Sequence, residues 1–213
     1  MKTAIKLLAI AIILFSTSCK KENVDEKPNL NNVSTVDIIN PILGTIPGTS
    51  TLTRNDTKIS VSYKTAGLIP GHAYSLWWVI WNNPQDCAVP GACDEPDFNT
   101  PEMVGVDVLY ATGLVVGTDG SVTFTAELIA GGEYQSANQY MELPPAGGLK
   151  LGNSRSAEVH LALRSHGPVI PGMVDDQIGS YLGGCSTFFD VFTEIPTENG
   201  ECGEIEFAVH PPQ

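Results

Sequence analysis

Lys58 to Trp81 reads KISVSYKTAGLIPGHAYSLWWVIW. Its first eight residues alternate, with Ile59, Val61 and Tyr63 on one face and Ser60, Ser62 and Lys64 on the other. Period-two alternation of this kind is the signature of a half-buried β-strand. Pro70-Gly71 then marks a turn. His72 to Trp81 is almost entirely apolar and rich in aromatic and β-branched residues. That composition predicts a central strand buried on both faces. Asn82-Asn83-Pro84 ends it.

The same rhythm continues on the C-terminal side. Gln85 to Glu102 is a loop with three prolines and five acidic residues. Met103 to Thr118 reads as a long strand, bent near Gly113. Asp119-Gly120 is a hairpin turn signal, because such turns need positive φ at their central positions. Ser121 to Leu128 is expected to return as the partner strand of that hairpin. Ile129 to Asn153 is a long excursion rich in Gly, Pro and polar residues. Ala157 to Ser165 alternates again, Val174 to Leu182 suits one short helix, and Glu204 to His210 suits a terminal strand. Many strands at short spacing with few helices predict an all-β fold, an antiparallel β-sandwich of immunoglobulin-like topology, with a barrel or jelly roll as the alternative.

The N-terminus differs in kind. Lys2 and Lys6 precede an apolar run from Leu7 to Phe15, nine residues long, and then Ser16-Thr17-Ser18-Cys19. A membrane-spanning helix needs roughly 20 apolar residues, so this is a secretory signal rather than an anchor. Small residues followed at once by Cys resemble the lipobox of bacterial lipoproteins. The resemblance implies cleavage before Cys19 and a diacylglycerol thioether on its sulfur. It places the chain on the bacterial cell envelope, with the outer membrane as its expected site. Three segments follow: a signal peptide over 1–18, a lipidated Cys19 with a polar tether over 19–34, and one domain over 35–213.

Charge narrows the partners. From Asn29 onward the chain carries 21 Asp and Glu against 6 Lys and Arg. Thr65 to Leu149 and Ser165 to Gln213 contain no Lys or Arg. Nucleic acids need clustered cations, so nucleic-acid binding is excluded as an expectation. The partners expected are the membrane, through the lipid on Cys19, and an envelope or extracellular ligand. With Cys19 taken by lipid, Cys87, Cys93, Cys185 and Cys202 remain, an even set that implies two disulfides in an exported protein. Three connectivities are open, and proximity favours Cys87–Cys93 with Cys185–Cys202. The spacings do not match the paired cysteines of zinc sites.

One strand concentrates chemistry. Alternation places Glu158, His160, Arg164 and His166 on one face of a strand, while Val159, Leu161 and Leu163 point to the core. The same pattern suits the solvent face of a sheet bearing cross-strand ion pairs. His72 and His210 could join from other strands, since imidazole is a common ligand for transition metals. Asp86, Asp94, Glu95 and Asp97 offer oxygens of the type calcium prefers, without the spacing of a calcium loop. No cofactor is therefore expected, calcium or a transition metal being the candidates if one binds. Tyr74, Trp77, Trp78 and Trp81 suit the core, or else a carbohydrate or peptide pocket. No nucleophile elbow, zincin motif, phosphate loop or dinucleotide fingerprint occurs.

His72-Ala73-Tyr74-Ser75-Leu76-Trp77-Trp78 with Asn82-Asn83-Pro84 and the following cysteine pair resembles a group of exported bacterial proteins of unknown function. Glu158 to Pro168 (EVHLALRSHGP) and Gly183-Gly184-Cys185 carry the same resemblance. It spans most of residues 58 to 210 and implies one secreted domain, with no established activity attached. The leading expectation is a lipid-anchored binding or structural module. The alternative is a metal-dependent or hydrolytic envelope enzyme built on Glu158, His160, Arg164 and His166. That alternative requires at least three of the candidate side chains to converge in a concave pocket.

Overall fold

The computed structural model describes residues 32–186 and 195–213. Cys19, the signal segment and most of the tether lie outside the described residues. Eight strands form the framework: β1 (Val33–Asn40), β2 (Thr45–Arg54), β3 (Lys58–Thr65), β4 (His72–Trp81), β5 (Val106–Val115), β6 (Val122–Ile129), β7 (Glu158–Pro168) and β8 (Gly203–His210). Two short α-helices, α1 (Pro101–Val104) and α2 (Val174–Gly179), and three short 3-10 turns accompany them among the described residues. The all-β antiparallel class expected from the sequence is what the chain adopts. β1 starts at Val33, two residues inside the segment read as tether.

The strands run in the order β5-β4-β7-β8-β1-β2-β3-β6. Two four-stranded halves meet at a corner where Ile39 of β1 pairs with Phe207 of β8. The chain passes directly from β5 to β6, the two edges of this order, so the sheet turns back on itself like a barrel. Between the halves lies the core. Ile38, Leu52, Ile59, Val61, Tyr63 and Phe124 from one half meet Tyr74, Leu76, Trp78, Ile80, Leu161 and Leu163 from the other.

The expected β5–β6 hairpin is corrected. Both strands exist, and Gly120 takes a positive φ of 67° in the turn. Yet β6 pairs along its whole length with β3, from Lys58↔Ile129 to Thr65↔Val122. The physical reason is burial. β6 alternates between core and solvent and so belongs in the half with one wet face. The first residues of β5 are buried on both faces and belong in the covered half. The Gly117–Gly120 turn therefore carries the chain across the barrel instead of folding it back.

β4 is buried on both faces, as its composition predicts. Its inner residues enter the main core, and its outer residues Trp77 and Trp81 enter two satellite clusters. All three tryptophans are core, and the reading of them as a pocket lining falls. β5 carries its irregularity at Ala111, where Leu76 pairs with Thr112 and Trp77 with Tyr110.

Candidate functional site

β7 places its side chains as the alternation dictates. Val159, Leu161 and Leu163 are fully buried in the core. Their neighbours on the opposite face are largely shielded from water. Glu158, Arg164 and His166 are fully buried and His160 is half-buried. The reading of this face as a solvated surface is thus overturned. Loops on the outer side of β4, β7 and β8 cover it, including the segment around the Cys87–Cys93 bridge and the turn after α2.

The four candidate residues separate into two networks. At one end Glu158 accepts from His160 Nε2 at 2.6 Å and from the Cys93 backbone N–H at 2.9 Å. Trp81, directly opposite Glu158 in the ladder, lies 5.8 Å from the His160 ring and 4.8 Å from Phe98. Glu158 Oε2 and Trp81 Nε1 have no hydrogen-bond partner among the described residues. The Asp97 carboxylate holds this covering loop by accepting from Ala88 N at 2.7 Å and Asp94 N at 2.9 Å. Both its oxygens are spent on backbone donors, and Asp94 accepts from Glu95 N. Of the four carboxylates named as calcium candidates, Asp94 and Asp97 are thus engaged with backbone donors, while Asp86 and Glu95 are exposed.

At the other end Arg164 pairs with Glu204 at 2.7 Å. The Tyr181 hydroxyl donates to the same carboxylate at 2.7 Å, and the Arg164 guanidinium lies 4.3 Å over the Tyr181 ring. His166 Nδ1–H donates to the Gly183 carbonyl at 2.8 Å. That fixes Nε2 as the acceptor for the Ser75 hydroxyl at 2.7 Å. Trp77 Nε1–H donates to Ser75 in turn at 2.8 Å. Burial, and then the Arg164 charge, push the His166 imidazole down to about 3. A serine–histidine pair resembles an activated nucleophile. Here the hydroxyl is fully buried and the imidazole is too weak a base for neutral pH, so the pair is an interior network.

The remaining histidines do not join either group. His210 is bonded on both ring nitrogens, to Ser34 and Ser50 hydroxyls at 2.8 Å each, and burial pushes it down to about 3. His72 sits buried at the start of β4 beside Tyr74, and burial lowers its pKa. Two clusters bring potential ligand atoms within 4.8 Å: His166 with Cys185 and Cys202, and Asp97 with Cys87 and Cys93. Both cysteine pairs are disulfides, in the connectivity that proximity favours. Their sulfurs are therefore not thiolate ligands. Two open surface depressions exist, one along Asn99–Met103 and Glu142–Pro144, the other around Met173 and Gly183–Ser186. Neither is lined by Glu158, His160, Arg164 or His166. The convergence that the enzyme alternative requires does not occur among the described residues.

Two features escaped the sequence reading. Arg54 is fully buried and donates to four backbone carbonyls, those of Ser154, Ala157, His210 and Pro211. Its signal was parity, since Ser50, Leu52 and Arg54 share the inward face of β2. The second is the β1–β2 hairpin tip. Ile42, Leu43 and Ile46 are 37%, 58% and 60% exposed. No charged residue occurs from Ile38 to Thr53. The buried Asn40 side chain braces this tip, accepting from Ile42 N at 3.1 Å and Leu43 N at 2.9 Å. Two backbone donors of this apolar tip are thus satisfied before anything covers it.

Comparison with protein-family models, curated proteins and solved structures gives no match.

Proposed function

We propose that the chain is a lipid-anchored binding module of the bacterial envelope, acting through its β1–β2 hairpin tip on an apolar cleft of a partner protein. The observation that carries this reading is the braced, charge-free tip of Ile42, Leu43 and Ile46. Exposed aliphatic clusters on a preorganised loop cost little ordering entropy on association. An uncharged apolar cleft fits because neither strand flank of the tip offers a charge to pair. Turnover is not part of the proposal, since the residues nominated for chemistry are engaged inside the fold.

The test places a photo-crosslinking residue at position 43 of the full chain in the envelope. The captured partner is purified and its affinity for the whole chain measured. Leu43→Asp with Ile46→Asp is expected to cost about 3 kcal/mol or more, over a hundredfold in Kd, as for two desolvated aliphatic anchors. An unchanged Kd with intact folding rejects the tip as the binding element.

A further inference from the structure

The two disulfides sit in opposite electrostatic settings. Cys87 and Cys93 are each 5% exposed, and the Asp97 carboxylate lies within 4.8 Å of both sulfurs. The Cys185–Cys202 bridge has a cation and an imidazole beside it instead. Arg164 Nη2 stands 3.9 Å from Cys185 Sγ. His166 Nδ1 stands 3.7 Å from Cys185 Sγ and 3.8 Å from Cys202 Sγ. Cys202 is buried, whereas Cys185 is half-buried and lines an open depression with Met173, Asp176, Leu182 and Ser186.

These neighbours suit a thiolate. Arg164 gives Nη1 to Glu204 and is fully buried, so salt and water screen its charge little. Its Nε has no hydrogen-bond partner among the described residues. His166 carries its proton on Nδ1, because Nε2 accepts from Ser75. A sulfur that gains negative charge therefore faces an N–H. The Tyr181 and Gly183 carbonyl oxygens, 3.9 and 3.7 Å from Cys185 Sγ, suit a thiol donor. Both protonation states of a reduced Cys185 thus have partners. The anions nearby are Glu204, bonded to Arg164 and to the Tyr181 hydroxyl, and the exposed Asp176 and Glu201. At Cys87 and Cys93 the carboxylate beside the sulfurs disfavours a thiolate.

The longer bridge also has a frame that does not depend on it. Ser186 donates to the Gly200 carbonyl through its backbone N–H at 2.7 Å and its hydroxyl at 2.8 Å. Cys185 N donates to the Leu182 carbonyl at 3.0 Å, and Gly203, next to Cys202, pairs with Ser165. The two sulfurs stay adjacent when their bond opens, so the bond re-forms readily.

We infer that Cys185–Cys202 is a thiol-exchange site that takes two electrons from a dithiol of a partner protein, while Cys87–Cys93 is structural only. The inference does not rest on the hairpin tip. A partner thiolate entering the depression attacks Cys185 Sγ, the accessible sulfur. The new bond joins Cys185 to the partner, the S–S bond breaks, and its electron pair leaves on Cys202, beside His166 Nδ1–H. The partner's second thiolate then attacks its own bound sulfur, closes the partner disulfide and releases Cys185 beside Arg164. The partner dithiol is oxidised and the bridge reduced. The two protons given up by the partner end on Cys185 and Cys202, or in solvent where a sulfur stays thiolate. A low thiol pKa speeds departure and stabilises the reduced form, which makes a bridge more oxidising. Loop length does not set this order, because loop closure weighs on the unfolded chain and not on the folded one.

The test titrates the full chain with mixtures of dithiothreitol and its oxidised form, followed by alkylation and peptide mapping of each cysteine pair. Cys185–Cys202 should be half-reduced at roughly a hundredfold lower ratio than Cys87–Cys93, about 60 mV for a two-electron couple. Tryptophan emission, from three buried rings, reports that the chain stays folded. Equal ratios, the reverse order, or reduction only together with unfolding overturns the inference. This measurement needs no variant. In Cys202→Ser, alkylation of Cys185 should titrate below the ordinary thiol value of about 8.5. A midpoint at or above that value removes the role given to Arg164 and His166. A Cys-x-x-Ser trap peptide should form its mixed disulfide with Cys185, and capture on Cys202 overturns the order of attack.

Discussion

Glu206 shows what a single buried carboxyl does to this protein. It lies inside the barrel, accepts from the Tyr63 hydroxyl at 3.3 Å, and burial pushes its pKa up to about 7. The folded value exceeds the unfolded one near 4.5. Its contribution to stability is therefore complete below about pH 4.5 and is lost as pH rises through 7, a change of about 3 kcal/mol. Glu206→Gln should be more stable than the parent at pH 8 by about that amount, with the gap closing towards pH 4.5. Denaturant midpoints of the two proteins across this range measure it. His166 and His210, both pushed down to about 3, act in the opposite sense, losing stability as pH falls. They are common to both proteins and cancel in the difference. Parity along β8 would put Glu204 and Glu206 on one side, but a bulge separates them: Leu163 pairs with Glu206 and Arg164 with Glu204, so Glu206 turns to the core and Glu204 to the outer face. Parity is limited in another way at Glu158, Arg164 and His166. The sequence shows that they share a face, while their burial depends on loops tens of residues away.

Elements repeat the lesson with turns and glycines. The Asp119-Gly120 signal correctly marks where β5 ends, yet strand pairing is decided by which half of the barrel each strand's burial suits. Gly113, read as a bend, has a different task. A Cβ at Gly113 would lie 1.9 Å from the Ile178 carbonyl oxygen of α2. That close approach sets α2 on β5, and the Tyr110 hydroxyl donates to the same carbonyl at 2.9 Å. Gly113→Ala should lift α2 and cost about 1–3 kcal/mol, the range for overpacking a closed contact. Hydrogen exchange at Gln177 and Ser180, whose amides bond to Met173 and Asp176, should quicken more than exchange in β3. Equal quickening in both would mean that α2 is not held through Gly113. The strands β3, β4, β7 and β8 were legible because period and composition act locally. β1 and β2 were not, because Pro41, Pro47 and Gly48 interrupt their alternation near the tip.

At the scale of the whole molecule, the covered half of the barrel depends on loops that two disulfides close. Cys185–Cys202 spans 17 residues and Cys87–Cys93 spans 6. Loop-closure entropy assigns about 3 kcal/mol to the longer loop and about 2 kcal/mol to the shorter. A competing effect could reverse that order, since Cys93 supplies the N–H that Glu158 accepts, and losing a donor to a buried carboxylate costs about 1.5–3 kcal/mol. The geometry argues that the donor survives reduction. Asp97 accepts from Ala88 and Asp94, on either side of Cys93, and so holds the segment without the bridge. Replacing Cys185 and Cys202 by Ser should therefore destabilise the chain by about 1 kcal/mol more than replacing Cys87 and Cys93. The two double variants compared by urea unfolding decide it. If the short bridge proves the costlier one, Glu158 depends on it for its donor. Asp97→Asn in the Cys87→Ser, Cys93→Ser background would then add little, whereas on the present reading it releases the loop and costs a further 1 kcal/mol or so.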